Sequence, residues 1–366
     1  MDKLRVGFIG CGGIAMDKHL PGMAKQREKI EMAAFCDLIP DRAEMARAQY
    51  GCEDSWTCTD YREILADPRI AAVHVLTPNV SHCAISCDAM NSGKHVICEK
   101  PMAASEADAR KMLETSKSTG RLLTIGYQYR HFDANKAMKS YVDTGALGDI
   151  YYAEATAIRR RGIPTWGVFT SKADQGGGPL IDIATHSLDL TLWMMNNYEV
   201  ESVTGVSFEK IGKYAGPDEM GNDFGSWDPQ KYEVEDSAFG FIRMKNGALI
   251  VLRSSWALNM VAPRASVLLC GTKGGLDNED GVRANHVIAG RQVDSKIASR
   301  GFRFAPPNTI DRNPMLMPHE AEAEIWVNAL LGRGELFVKA EQAYTVTKIL
   351  DAIYISSRTG KTLYLD

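Results

Sequence analysis

The run Leu4–Ile9 passes directly into Gly10-Cys11-Gly12-Gly13-Ile14-Ala15, and few folds can use such a junction. Val6, Phe8 and Ile9 suit a buried parallel strand. Beyond it, Gly10 permits a tight turn and Gly12 lets a phosphate approach the backbone. Ala15 allows the next helix to pack closely on the strand. The N-terminus of that helix offers N–H groups and a positive dipole end to an anion. Many turns are rich in glycine, however, so the flanking sequence has to carry the argument.

Residues 31–36 read as a second strand ending in Asp37, about 20 residues beyond the loop. There a carboxylate can accept hydrogen bonds from an adenosine ribose; the competing role for Asp37 is to cap the helix that starts near Pro40 and Asp41. Leu38 and Ile39 follow, with no immediate arginine or serine for a 2′-phosphate, so NAD is favoured over NADP, although Arg42 lies on the next helix. Residues 42–50 and 60–65 read as helices. Residues 71–76 form another buried strand, closing on Thr77-Pro78-Asn79, a loop expected to lie over the cofactor. His82 opens the next helix, either lining the crevice or capping. Residues 94–98 make a strand that runs into Glu99-Lys100-Pro101, residues 105–119 a helix and residues 122–125 a further strand. Strands alternating with helices over about 125 residues imply a doubly wound parallel sheet of α/β class. A lysine at a strand's C-terminal end, beside a nucleotide crevice, can reach both the nucleotide and a second reactant, which singles out Lys100.

Residues 126–366 are expected to form a second domain, for substrate binding and oligomer contacts, of α+β class with an open, mainly antiparallel sheet. Its last helices are candidates to pack back toward the first domain. Tyr127, Gln128 and Arg130 leave the last strand of the first sheet with polar and aromatic character suited to a substrate site. A helix over 132–144 and the strand Ile150–Ile158 precede Arg159-Arg160-Arg161. If the strand continues, Arg159 and Arg161 share a side, as a solvated edge or as ligands for a polyol or an anionic group. Trp166 adds an aromatic surface. Gly176-Gly177-Gly178-Pro179 makes a tight entry to a helix reaching about residue 196. On it Asp182 and His186, four apart, share one face, with Asp189 near them. A carboxylate holds an imidazole and raises the basicity of its other nitrogen, and histidine suits general-base work near neutral pH.

Val200–Phe208, Ser237–Met244 and residues 248–255 and 265–269 read as strands, with Asn246-Gly247 as a hairpin turn. The irregular stretch 211–233 is a lid, a subunit contact or a disordered loop; 300–318 is another. Helices are expected over 318–331 and 341–357.

Composition narrows the function. The 366 residues suit two domains, and the net charge of −4 leaves no basic footprint for nucleic acid. No apolar run approaches the ~20 residues of a bilayer-spanning helix, and the first residues lack a signal-like apolar core. The reading is a soluble cytoplasmic protein with no nucleic-acid or membrane partner. The eight cysteines include no CxxC pair and read as reduced, with no metal site expected.

With these pieces in place the chain resembles the Gfo/Idh/MocA oxidoreductases (glucose–fructose oxidoreductase, inositol dehydrogenase). The resemblance rests on GFIGCGGIA near the start, LTPNVSH at 76–82, GKHVICEKP at 93–101, GGGPLIDIATHSLD at 176–189 and the terminal ILDAIYISSRTGK. It implies a catalytic group of Lys100, Asp182 and His186, a cis peptide before Pro101, and a second domain whose sheet makes dimer, tetramer or larger homo-oligomer contacts. It also implies NAD, exchanging or tightly retained, and a sugar or glycoside substrate. The stretch RRRGIPTWG is most similar to bacterial members that oxidise a glucoside at its C3 hydroxyl. Inositol or nucleotide-sugar oxidation is the alternative within enzymes. A non-catalytic NAD sensor is the alternative outside them, because fold alone does not make an enzyme.

Overall fold

Six short strands, most of them apolar and buried, build the first sheet of the computed structural model. The model describes residues 3–214, 221–262, 264–298 and 317–365. The strands are β1 (Leu4–Ile9), β2 (Ile30–Cys36), β3 (Trp56–Cys58), β4 (Ile70–Val75), β5 (His95–Cys98) and β6 (Leu123–Ile125), in the order β3-β2-β1-β4-β5-β6. Every pairing is parallel, so each connection must cross over, and helices supply the crossovers. Val6, Phe8, Val73, Val75, Val96 and Ile97 are all buried, as two-sided cover requires. The chain order reverses between β1 and β4, the point at which parallel sheets of this kind bind nucleotides. β3 was not anticipated; three residues are too few to show a period.

This first unit runs to His131 and also takes in the chain as far as Tyr344 that contains the helix Pro318–Leu330. Ala323, Trp326 and Val327 of that helix pack with Leu20, Met23 and Phe8 in one core. The second unit begins at Phe132 and recovers the chain from Thr345 onward.

The second unit holds nine strands. They are β7 (Ile150–Ile158), β8 (Val200–Phe208), β9 (Ser237–Met244), β10 (Leu249–Ser255), β11 (Arg264–Gly271), β12 (Gly274–Asp277), β13 (Arg283–Ile288), β14 (Arg291–Lys296) and β15 (Leu363–Tyr364). Their order is β14-β13-β12-β11-β7-β10-β9-β8-β15. All pairings are antiparallel except the central β7–β10 pair. One face lies under the helix Ala184–Met195, which crosses β7, β10 and β11. The helix Ala340–Thr359 also reaches this sheet: Ile353 sits where a Cβ on Gly205 or Gly240 would lie 2.7 Å from it. On the opposite face the register sets Val206, Phe239, Phe241 and Val251 side by side, with Val206 and Phe241 exposed.

The irregular stretch 211–233 is tied down in its described part. Asp236 Oδ2 accepts the backbone N–H groups of Lys210, Ile211 and Gly212 at 2.6, 2.5 and 3.0 Å. Trp227 Nε1 donates to the Gly212 carbonyl at 2.7 Å, and Asn222 pairs with both backbone groups of Ile163. The other expected irregular stretch, 300–318, lies outside the described residues up to 316. Among the described residues no helix is long and apolar enough to cross a membrane.

Candidate active site

At the C-terminal edge of the first sheet, Gly10 adopts φ +95°, and a Cβ there would lie 2.5 Å from the Leu76 carbonyl oxygen. Only glycine satisfies both constraints. Gly12 has the opposite surroundings, since a Cβ would meet nothing within 4 Å, and at Gly13 the nearest atom is an Asp17 oxygen at 3.9 Å. Open space over exposed backbone is what a pyrophosphate needs, so the loop fits a dinucleotide. Asp37 braces this loop. Its Oδ2 accepts the Cys11 N–H at 2.8 Å and its Oδ1 the Ile39 N–H at 2.9 Å. It does not cap the helix Pro40–Tyr50, whose N-cap, Ile39, makes no side-chain bond. Each carboxylate oxygen keeps a lone pair for a ribose hydroxyl.

Beyond Ile14 the chain makes a π-helical turn, Ala15–His19, before the α-helix Leu20–Ala24. Pro21 has no N–H for a regular ladder, and a widened turn absorbs that loss. After β4, Thr77 Oγ1 accepts from Ser81 Oγ at 2.6 Å, and Pro78 and Asn79 complete the loop. His82 corrects the sequence reading. It is fully buried, with Nδ1 2.8 Å from the Pro101 carbonyl and Nε2 2.8 Å from the Thr77 carbonyl. Its side chain is turned to those two carbonyls, away from any capping bond, and joins the loop after β4 to the turn after β5. Burial lowers its pKa, against the pull of the two carbonyls. Glu99 follows β5, and Oε1 lies 2.9 Å from His19 Nε2 while Oε2 accepts the Lys100 N–H at 3.0 Å. Lys100 is half-buried, and its peptide bond to Pro101 is cis.

In the second unit, Gly177 and Gly178 give room to other parts of the protein. A Cβ on Gly177 would collide with the Tyr354 hydroxyl, and one on Gly178 with the Glu235 carbonyl oxygen. The buried Glu235 carboxylate accepts the Gly178 N–H at 2.9 Å, the Leu180 N–H at 3.1 Å and the Tyr354 hydroxyl at 2.8 Å. Burial raises its pKa although all three donors favour the carboxylate. Neither Glu235 nor Tyr354 was singled out by sequence; each acts on a turn far away along the chain.

That turn opens a short helix, Pro179–Asp182, which breaks at Ile183 (φ −107°) before Ala184–Met195 begins. Asp182 and His186 therefore lie on either side of a break, and not on one continuous helix as their spacing suggested. Both are buried, as is Asp189. Asp182 Oδ2 accepts from Trp256 Nε1 at 3.1 Å, and Trp256 is itself fully buried.

The remaining expected substrate contacts divide. Tyr127 is buried, and Gln128 is half-buried with Oε1 lacking a hydrogen-bond partner among the described residues. Arg130 is a correction: it is fully buried, with Nη1 donating to the Phe337 carbonyl at 3.3 Å and to Gln342 Oε1 at 2.8 Å. Its guanidinium serves the core of the first unit. The strand ends at Ile158. Arg159 Nη1 turns back to the Gly162 carbonyl, with its guanidinium 5.4 Å over Phe224. Arg161 donates to the Arg160 and Leu258 carbonyls and to Asn259. Trp166 is 52% exposed and stands edge-on to Phe169 at 5.8 Å and Phe224 at 4.9 Å. Phe169 in turn touches Trp256, so Trp166 and Asp182 belong to one cluster of side chains.

The fold and the loop define a dinucleotide-binding protein, and the comparisons specify which. The family's NAD-binding Rossmann domain matches residues 4–127, and its C-terminal domain matches residues 135–277. The chain belongs to the GFO/IDH/MocA oxidoreductase family. It is 34% identical over 363 residues to the D-glucoside 3-dehydrogenase of Escherichia coli (strain K12), covering 99% of this chain and 97% of that one. It is 28% identical to the levoglucosan dehydrogenase of Pseudarthrobacter phenanthrenivorans, over 68% of this chain and 66% of the relative. Among solved structures, levoglucosan dehydrogenase in complex with NADH and levoglucosan shares the fold, with a TM-score of 0.81 at 23% identity over 99% of both chains. An oxidoreductase domain protein from Kribbella flavida reaches 0.83 at 19% identity over the whole of both. The first unit is an NAD-binding domain, as the glycine loop and Asp37 suggested.

Proposed function

We propose that this protein oxidises a secondary hydroxyl of a glycoside, at C3 of a glucoside, to give a 3-keto sugar. The observation that carries the reading is the full-length likeness to a D-glucoside 3-dehydrogenase in a chain that carries Lys100 in its EKP motif and Asp182 and His186 in its DxxxH motif. Bound NAD+ supplies the hydride acceptor. Gly10, Gly12, Gly13 and Ile14 would cradle its pyrophosphate and Asp37 its adenosine ribose, with Thr77, Pro78 and Asn79 lining the rest, while Glu99, buried and bonded to His19 and the Lys100 N–H, braces the loops behind it. His186 takes the hydroxyl proton. Lys100, as ammonium, hydrogen-bonds the same oxygen and stabilises the alkoxide charge that develops there. Asp182, steadied by Trp256, orients the partners. Tyr127, Gln128 and Trp166 supply polar and aromatic surroundings for a pyranose.

The bonds that Arg159 and Arg161 make to carbonyl groups favour a neutral glycoside over an anionic nucleotide sugar. The same reading has the protein working in the cytoplasm as a homo-oligomer, with the apolar sheet face around Phe241 as the contact. Nicotinamide absorbance of the purified protein, before and after adding glucosides, free hexoses, inositols and nucleotide sugars, tests the proposal. A rise with glucosides before any NAD is added supports both the substrate class and a retained cofactor. A rise only with added NAD supports an exchanging one. Silence in every mixture overturns the enzyme reading in favour of a sensor. His186→Ala and Lys100→Ala should each lower turnover by ~100-fold or more; near-normal turnover in either removes that residue from the mechanism.

A further inference from the structure

The chemistry above makes no use of His19, yet this residue is buried where the nucleotide loop and the Lys100 segment meet. It ends the π-helical turn that follows the glycine loop. Its Nε2 lies 2.9 Å from Glu99 Oε1 and its Nδ1 3.1 Å from His74 Nδ1 on β4. Glu99 Oε2 accepts the backbone N–H of Lys100 at 3.0 Å. One chain of hydrogen bonds thus runs from His74 through His19 and Glu99 to Lys100.

The proton positions along it follow from the partners. His74 is fully enclosed, and burial holds it uncharged. A neutral His74 that donates from Nδ1 leaves His19 Nδ1 as acceptor and His19 Nε2–H as donor to Glu99. Gly126 fits this arrangement, since a Cβ there would stand 3.1 Å from Glu99 Oε1.

We propose that His19 is a positioning residue that locks the Lys100 segment to the nucleotide loop, so that one buried hydrogen-bond chain sets both nucleotide seating and the placement of the Lys100 ammonium. The proposal rests on the reading that Lys100 acts on the substrate hydroxyl. A displacement of about 1 Å at such a group can cost about 100-fold in rate, so a loss of about 10- to 100-fold is the scale to look for.

The test uses the full chain as His19→Ala, His19→Gln, Lys100→Ala and the His19→Ala/Lys100→Ala pair. The readouts are NAD+ binding without sugar, turnover of a methyl glucoside at saturating NAD+, and thermal melting. In His19→Ala, kcat should fall about 10- to 100-fold with the sugar KM changed less than about threefold, and NAD+ should bind more weakly. His19→Gln should recover most of kcat, because its amide can donate to Glu99. On the Lys100→Ala background, His19→Ala should cost less than about twofold more. The proposal is overturned if His19→Ala turns over normally, or if it costs the same factor with and without Lys100. It is also overturned if His19→Gln is as impaired as His19→Ala with melting lowered in step, which is the mark of mere space filling. Normal turnover in Lys100→Ala overturns the underlying reading of Lys100, and is told apart because it appears in that single variant.

Discussion

Two glycine-rich turns, one in each unit, use the same residue for opposite purposes. Around Gly12 the space a side chain would take stands open, whereas around Gly177 and Gly178 it is filled by Tyr354 and Glu235. Gly10 belongs to neither kind, since its positive φ and the nearby Leu76 carbonyl both demand it. A glycine run can therefore mark a seat for a ligand or a close fit within the protein, and the sequence pattern does not separate them. The distinction is energetic. A side chain added at the first kind of site competes with the ligand, and one added at the second competes with folding.

Substitutions test this division directly. Gly178→Ala forces a methyl against a backbone carbonyl that cannot swing away, and about 3 kcal/mol of stability should be lost. Denaturant unfolding should show it, and an unchanged midpoint would place Gly178 with Gly12. Gly12→Ala should melt as the parent does while binding NAD+ about tenfold more weakly, a change of about 1.4 kcal/mol read by titration. Gly177→Ala meets a side-chain hydroxyl, which is removable. Adding Tyr354→Phe should restore about 1 kcal/mol of what Gly177→Ala loses, even though Glu235 gives up one donor, and a further loss would show that the hydroxyl matters more for Glu235 than for Gly177.

The smallest effect concerns the helix beside the nucleotide loop. Burial, with Lys18 and His19 nearby, lowers His319 to about 4 from an ordinary 6.5. The unfolded chain takes up a proton below pH 6.5 while the folded one resists until near 4. This residue's contribution is thus whole above 6.5 and is lost as the pH falls toward 4. His319→Gln should flatten that part of the melting profile. Glu235 has the reverse sign: with its pKa raised, its contribution is whole below 4.5 and lost as the pH climbs through the folded value. Melting curves between pH 4 and 7 for His319→Gln and Glu235→Gln should therefore depart from the parent in opposite directions.

Much of the first unit was legible because its longer strands are buried and read as mainly apolar runs. Asp37 and Lys100 stood out for the same reason, as polar residues where such runs stop. The strands Arg283–Ile288 and Arg291–Lys296 were not legible. They are largely exposed and carry no apolar alternation, and they are held by pairing with each other and, for the first, with β12. The spacing of Asp182 and His186 could not reveal the break at Ile183, since nothing in Ile-Asp-Ile-Ala forbids a continuous helix. Glu235 was hidden for a different reason. It acts on Gly178 from 57 residues away and on Tyr354 from 119, and no local pattern carries such a distance. His19 and Glu99 stand 80 residues apart and were hidden in the same way.

The flanks of the nine-stranded sheet carry a consequence for handling the protein. An unpaired strand edge is a template on which another chain can add and aggregation can start. One flank is β14, whose Arg291, Asp294 and Lys296 make it a poor template. The other is β15, only two residues long, where Leu363 and Tyr364 pair with Val203 and Ser202 and the Leu365 N–H reaches Glu201. Trimming residues 362–365 would uncover the much longer strand β8. A shortened chain should therefore foul on storage sooner than the full one, although Lys100, Asp182 and His186 would all be intact.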